Sequence, residues 1–249
     1  MSKWRILPLT IVDQQQHINQ SEKLLATTEP WHPATLYWSM AEPAAIVLGF
    51  SQKDDVLNAA AIAQCKMPVY HRRAGGTAVL VGPQLLSLDV VLPAGHPLIL
   101  ADIVKSYCWF GEAWVEALRQ FGVQARTVPP QEAHEQRALL KQAETAEREL
   151  LLRRACYGAL SSYEVVVGQR KVVGLDMIRR RAGSLLQAGV LLHWETEPVA
   201  QLLGHTAEEV AVLRNGLLER AVGLDTLAGR AVAAQEVIAA FEQVIFEME

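Results

Sequence analysis

Apolar and polar positions divide the chain into strand-like and helix-like stretches. Residues 35–40 (TLYWSM) and 44–50 (AAIVLGF) are short runs rich in aromatic and branched side chains, with Glu42–Pro43 between them. They predict two strands joined by a turn. Residues 68–73 (PVYHRR), 77–81 (TAVLV) and 85–93 (LLSLDVVLP) predict three more. In the last, Leu86, Leu88, Val90 and Leu92 alternate with Ser87 and Asp89, the pattern of a half-buried strand. Residues 161–176 (SSYEVVVGQRKVVGLD) hold two β-rich runs around Gly168–Gln169, a hairpin signal. Residues 184–193 (SLLQAGVLLH) predict a further strand.

Helical spacing fills the stretches between these runs. Residues 18–26 form a short helical pattern, and residues 54–65 an Ala-rich one that opens with Asp54 and Asp55, favourable for the helix dipole. Over residues 100–121, Ile103, Tyr107, Phe110, Trp114, Leu118 and Phe121 recur at steps of three and four, a single apolar stripe. Pro129–Pro130 breaks the chain, and the charged residues 131–154 predict a solvated helical cover or lid. From Glu197 the pattern is helical to the end. Thr206 with Glu209 matches a capping box, and residues 234–248 form the last helix. The class is α+β. There is no internal repeat.

Composition narrows this picture. The chain has 249 residues, 51% hydrophobic and 20% charged, enough for a sizeable core. A net charge of −4 disfavours a nucleic-acid-coating protein. No apolar run reaches the ~18 residues of a membrane span, and MSKWRILPLTIVDQQQ lacks a secretory apolar region. Cys65, Cys108 and Cys156 are an odd number without CxxC spacing, and the seven histidines form no metal pair. This points away from disulfides and metal, toward a reducing cytoplasm.

Three places could carry chemistry. His71–Leu80 (HRRAGGTAVL) sets Arg72 and Arg73 beside Gly75–Gly76, either a plain turn or a loop whose backbone approaches an anion. Lys171 lies just past the hairpin and before Gly174, either solvated or held to polarise an acyl carbonyl or to hold a phosphate. Cys156 follows Arg153 and Arg154 and is either a small buried hydrophobe or a thiolate favoured by those cations.

The order of these features resembles the lipoate–protein ligase A family, including its cysteine-dependent octanoyltransferases. The likeness spans residues 36–227. AAIVLGFSQ resembles the family's strand ending, on which Gly49 and Gln52 match. HRRAGGTAV resembles Arg-Arg-x-Ser/Thr-Gly-Gly-x-Ala-Val, so Arg72 falls on the second arginine and His71 on the first. GQRKVVG resembles Gly-x-Lys-x-x-Gly with one extra residue, and places Lys171 on the catalytic lysine. CYGALSSYEVVV resembles the octanoyltransferase segment whose nucleophile lies seven residues before Tyr-Glu, here Cys156 and Tyr163–Glu164.

The resemblance implies a mixed β-sheet flanked by helices, as in the catalytic domains of class II aminoacyl-tRNA synthetases and biotin ligases. That domain would span residues 1–204, with residues 205–249 as a small helical C-terminal extension of the same domain. It implies attachment of a lipoyl or octanoyl group to a lysine of a lipoyl carrier domain, that of a glycine cleavage H protein or a 2-oxoacid dehydrogenase E2. Octanoyl-acyl carrier protein is a candidate donor. No nucleic acid, membrane or metal is implied. Lys171 and Cys156 would be catalytic; Arg72, Gly75, Gly76, Thr77, Ala78 and Gly174 would bind substrate. The route is a Cys156 thioester, an ATP- and Mg-dependent acyl-adenylate, or, in a degenerate member, binding alone. Apolar residues of TAVLV and LLQAGVLL would line a tunnel for the acyl chain. The chain departs from the pattern at Ala74 (Ser/Thr in the family), Val81 (His), Gly174–Met177 (Gly-Ser-Ala-Gln) and Ala188 (His).

Overall fold

Two sheets organise the computed structural model, which describes residues 4–248, and the Gly-Gly loop connects two strands of the smaller one. The strands are β1 (Trp4–Val12), β2 (Ala34–Ala41), β3 (Ala45–Leu48), β4 (Val69–His71), β5 (Val79–Val81), β6 (Leu85–Pro93), β7 (Arg126–Thr127), β8 (Val165–Val167), β9 (Arg170–Arg179) and β10 (Gly183–Leu191). The helices are α1 (Gln14–Ala26), α2 (Ala59–Cys65), α3 (Cys108–Arg119), α4 (Pro130–Ala138), α5 (Ala146–Leu152), α6 (Thr196–Leu203), α7 (Ala207–Arg220), α8 (Leu224–Ala228) and α9 (Ala234–Glu247). The large sheet runs β1-β2-β6-β10-β9-β8-β7, and the small one β4-β3-β5. In the large sheet β1 and β2 are parallel and the other pairs antiparallel. The expected mixed sheet flanked by helices is therefore present.

The main core lies between the large sheet and helices α3 and α9. Leu86, Leu88, Val90 and Leu92 of β6 meet Phe110, Trp114 and Leu118 of α3 and Phe241 of α9. Trp114 and Phe241 stack at 4.2 Å between ring centroids, and Trp38 packs edge-on against both. The Trp38 indole N–H finds its polar partner in Glu242 at 2.9 Å. Helix α9, beyond residue 204, thus shares the sheet's own core. A second core joins Ile46 and Leu48 of the small sheet to Leu152 of α5, Leu203 of α6 and Leu217 of α7. Among the described residues no helix is long and apolar enough to cross a membrane.

Several elements differ from the sequence pattern, each for a local reason. Strand β1 has no clean alternation because Pro8 cannot donate to the ladder; β1 is an edge strand whose register shifts between Leu7 and Thr10. Asp54–Val56 is a separate 3-10 turn, and α2 begins only after Asn58, whose side chain accepts from the Ala61 N–H at 3.2 Å. Residues 100–107 are not part of α3. The Ser106 hydroxyl bonds to the Leu100 and Asp102 carbonyls, closing turns instead. Ile103 consequently stays outside the stripe and is 51% exposed. At α7 only half of the capping box forms: Thr206 caps the Glu209 N–H, while the Glu209 carboxylate turns to Arg154.

The alternation in β6 predicts a half-buried strand, but both its faces are covered. Its polar face looks toward α1 and a cavity instead of solvent, and Asp89 is only 1% exposed.

Candidate functional site

The floor of the site is written in strand register. Asp89, Gln187 and Asp176 are partners across β6, β10 and β9. Two residues along, Ser87, Gly189 and Gly174 form the next row on the same face. All six line one cavity of about 620 Å³. The glycine row makes room for Tyr157, whose hydroxyl donates to the Gly189 carbonyl at 2.7 Å. A Cβ on Gly189 would stand 2.9 Å from that hydroxyl oxygen. Burial pushes the Tyr157 phenol well above its ordinary range.

Lys171 enters from β9 and is 1% exposed, although a lysine just past a hairpin is ordinarily solvated. Its Nζ lies 2.7 Å from Glu164 Oε2 and donates to the Cys156 carbonyl at 2.9 Å. An ammonium carries three hydrogens. Two are used within the protein, and the side chain lines the cavity, where the third is available to a ligand oxygen. Glu164 is also buried and accepts from the Ser161 N–H at 2.6 Å. Burial raises its carboxyl pKa, while Lys171 and the backbone donors oppose the rise.

Cys156 opens a 3-10 turn, Cys156–Gly158, and lines the same cavity. Its backbone is fixed at both ends, the N–H by the Ala78 carbonyl at 2.7 Å and the carbonyl by Lys171. Ala78 and Ala155 form an isolated parallel bridge, so the Gly-Gly segment and the cysteine segment are stitched together. Gln52 adds to this seam: its amide donates to the Arg154 carbonyl at 3.1 Å and accepts from the Gly49 N–H at 3.4 Å.

The two arginines of the loop part company. Arg72 turns inward, donates to the Gly75 and Thr77 carbonyls at 3.0 and 3.2 Å, and lies 3.5 Å from Asp176. Arg73 points outward to Glu22 at 2.6 Å, and His71 sits on the surface beside Asp54 at 2.9 Å. The loop presses on the end of β3: a Cβ on Gly49 would come within 2.0 Å of the Gly76 carbonyl oxygen. Gly76 itself has φ +84°, unfavourable for other residues. Gly49→Ala should therefore destabilise by about 1–3 kcal/mol, whereas Gly75→Ala, whose Cβ meets nothing within 4 Å, should shift stability by less than about 0.5 kcal/mol. Chemical denaturation of the two variants checks this, and equal losses would refute it.

Asp176 is a carboxyl of the floor with a raised pKa. Burial pushes it up to about 6, against the pull of Arg72 and the Met177 N–H. A carboxyl whose folded pKa is raised keeps its proton in the folded state after the unfolded chain has lost it. Stability then falls as pH rises from 3.8 through about 6. Asp176→Asn should remove this penalty. Its stability relative to the native chain should improve by on the order of 2 kcal/mol between pH 4 and pH 7. Denaturation curves at the two pH values test the sign; a pH-independent difference would contradict it.

A polar network closes the other end of the floor. His17 Nε2 lies 3.1 Å from Asp89 Oδ2, and the Ser21 hydroxyl also donates to Oδ2. Gln187 donates to Asp89 Oδ1 at 2.9 Å, and the Gln14 amide lies 3.1 Å from His17 Nδ1. Every buried polar atom of the Asp89 side chain is thus paired.

Of the residues proposed from sequence, Lys171, Cys156, Arg72, Gly76, Thr77 and Gly174 line the cavity together. Gly75 and Ala78 do not. Gly75 lies exposed on the loop, and Ala78 is 1% exposed and acts through its backbone on Cys156. Of the two runs expected to line an acyl tunnel, Val79, Val81 and Ala188 line the cavity, and so does the polar Gln187. Glu164, Asp176, Tyr157, His17, Asp89 and Gln187 join the site without having been candidates from sequence. Only Asp89 carries a local signal, a charge inside an otherwise apolar strand.

A catalytic α+β domain with a buried lysine, a cavity-facing cysteine and a Gly-Gly loop defines a class, and solved structures share its fold. A bi-partite lipoate protein ligase from Thermoplasma acidophilum superposes with a TM-score of 0.75 over 97% of this chain and 81% of its own, at 17% identity. A lipoate-protein ligase A bound with ATP gives 0.71, over 98% and 84%, again at 17% identity. These similarities concern the fold. In sequence, Octanoyltransferase LipM of an Exiguobacterium species is 28% identical over 210 residues, 84% of this chain and 72% of that protein. The profile of the lipoyl protein ligase A/B catalytic domain matches residues 13–246, and the chain belongs to that family of acyl-transferring and acyl-ligating enzymes.

Proposed function

We propose that this protein transfers an octanoyl or lipoyl group to a lysine of a lipoyl carrier domain through a thioester on Cys156. The observation that carries the reading is the placement of Cys156: it faces the cavity while its own backbone carbonyl holds Lys171. Sequence similarity to octanoyltransferases supports it.

The residues present fit an acyl group. The cavity volume is in the range of small-molecule sites, and Val47, Val79, Val81 and Leu85 offer apolar wall to a chain. The Cys156 thiolate attacks the carbonyl carbon of a thioester donor. A new S–C bond forms, the donor's C–S bond breaks, and the donor leaves as a thiolate, which takes up the proton that Cys156 gave up on ionising. The target lysine, as free amine, then attacks the Cys156 thioester. The amide C–N bond forms, the cysteine C–S bond breaks, and the amine proton returns to sulfur. In both steps the third hydrogen of Lys171 is placed to donate to the carbonyl oxygen as it gains charge. Glu164 holds that ammonium in place, and the Tyr157 ring lies beside it at 5.6 Å from centroid to Nζ.

A second reading is ATP-dependent ligation of the free acid, in which ATP would supply the activated carboxylate. The feature that favours it is the pair Arg137 and Arg153, which line the cavity and, among the described residues, form no ion pair. Incubation of the protein and an apo lipoyl domain with an octanoyl thioester, or with lipoate and ATP, separates the two. Transfer from the thioester without ATP supports the cysteine route. Transfer only with ATP and free acid would overturn it in favour of ligation, and no transfer from either donor would remove both.

A further inference from the structure

Most charged groups around the cavity are accounted for in pairs. Lys171 holds Glu164, Arg72 faces Asp176, and Arg220 is paired with Glu149. Two arginines are left over. Arg137 on α4 and Arg153 just after α5 both line the cavity and, among the described residues, make no ion pair or side-chain hydrogen bond. Arg153 Nη1 is buried with no partner at all. Burial and the repulsion of Arg137 both disfavour its charge. Of the two acids near it, Glu164 is held by Lys171, and Glu149 is engaged by Arg220 through Oε1, its Oε2 having no hydrogen bond and making none to Arg153.

The local sequence explains why these charges converge. Pro130, Ala133, His134 and Arg137 recur at steps of three and four, so one face of α4 presents His134 and Arg137 to the cavity. Arg153 lies three residues before Cys156, and Ser161 and Ser162 line the same wall. A half-buried arginine without a counter-charge is costly unless an anion arrives to complete it. Two guanidinium forks with serine hydroxyls suit the several oxygens of a phosphate better than a single carbonyl. The acyl chain has the apolar wall and its carbonyl has Lys171, so the anion belongs to the head group of the donor.

We propose that Arg137 and Arg153, with His134, form a subsite for a phosphate ester on the acyl donor, which sets donor specificity and seats the activated acyl carbonyl beside Cys156 and Lys171. The proposal rests on the acyl-transfer reading above. The phosphate is either that of a carrier's phosphopantetheine arm or that of an adenylated acid, and the same wall meets both.

Binding of non-reacting probes tests the subsite apart from catalysis. S-octyl phosphopantetheine is compared with S-octyl pantetheine, and the octyl ester of AMP with 5′-O-octyladenosine, by titration calorimetry. The native protein should prefer the phosphorylated member of one pair by about tenfold to a hundredfold. Arg137→Gln, at an exposed position whose change leaves the core intact, and Arg153→Gln should each remove about tenfold of that preference. The double variant should bring it close to one. Preference in the pantetheine pair identifies a carrier arm, and in the adenosine pair an acyl phosphate. Equal affinity within both pairs, or a preference that survives in the double variant, would overturn the subsite. Phosphate-selective binding without acyl transfer from any donor would instead overturn the transfer reading and leave the subsite standing.

Discussion

Lys171→Met should abolish acyl transfer and destabilise the fold, and Glu164→Gln in the same chain should restore only the stability. The lysine and its carboxylate are both almost fully buried at 2.7 Å. Removing one partner of such a pair costs about 3–5 kcal/mol, because the other is left as an uncompensated buried charge. Here the loss should fall at the low end, since burial already raises the pKa of Glu164 and lets it escape by taking a proton. Combining Lys171→Met with Glu164→Gln makes the pair neutral, removes the charge problem altogether and should recover most of the loss. The activity should not follow. In the proposed mechanism Lys171 is the donor to the acyl oxygen, and loss of one such donor lowers kcat by about a hundredfold to a thousandfold. Denaturation midpoints and single-turnover transfer rates, measured on the single and the double variant, separate the two roles. Full activity in the double variant would show that Lys171 is a structural residue.

Cys156→Ala should have the opposite profile, a nearly native stability and no thioester. The side chain is half-buried at the cavity wall, and the bonds that fix this turn are made by its backbone, which alanine keeps. The change in stability should be about 1 kcal/mol or less. With an octanoyl thioester donor, intact mass should show an adduct of about 126 Da on the native chain, one octanoyl group in place of a hydrogen, and none on the variant. Transfer to the lipoyl domain should fall to the uncatalysed rate. Unchanged transfer in Cys156→Ala would remove the thioester from the mechanism and leave ATP-dependent ligation as the reading for this cavity.

These expectations join residues that are distant in the chain, which is why only part of the site could be read locally. The strands other than β1 and β7, the hairpin at Gly168–Gln169, the last helix and the α+β class follow from periodicity and turn residues, which act over a few neighbours. The order of Gly49, Gln52, Arg72, Gly75–Gly76, Cys156 and Lys171 was enough to point to the family. The same order singles out Arg72, not Arg73, as the arginine of the ligand loop, and Arg72 is the one that turns inward.

Other features depend on which strand lies beside which. Asp89, Gln187 and Asp176 belong to three separate segments and become one row only when β6, β10 and β9 are in register. The alternation in β6 separates an apolar from a polar face. It cannot say that α1 will cover the polar face and turn it into a cavity floor. Lys171 looks solvated in its own hairpin; it is buried because Glu164 and the Cys156 carbonyl meet it from neighbouring segments. The leftover charge of Arg137 and Arg153 is likewise invisible in sequence, where Glu149 and Glu164 stand ready as partners. Tertiary packing commits those acids to Arg220 and Lys171. Periodicity therefore determined the elements, and motif order the family, whereas pairing and burial, which are set by contacts distant in sequence, determined which charges are spent and which remain for a ligand.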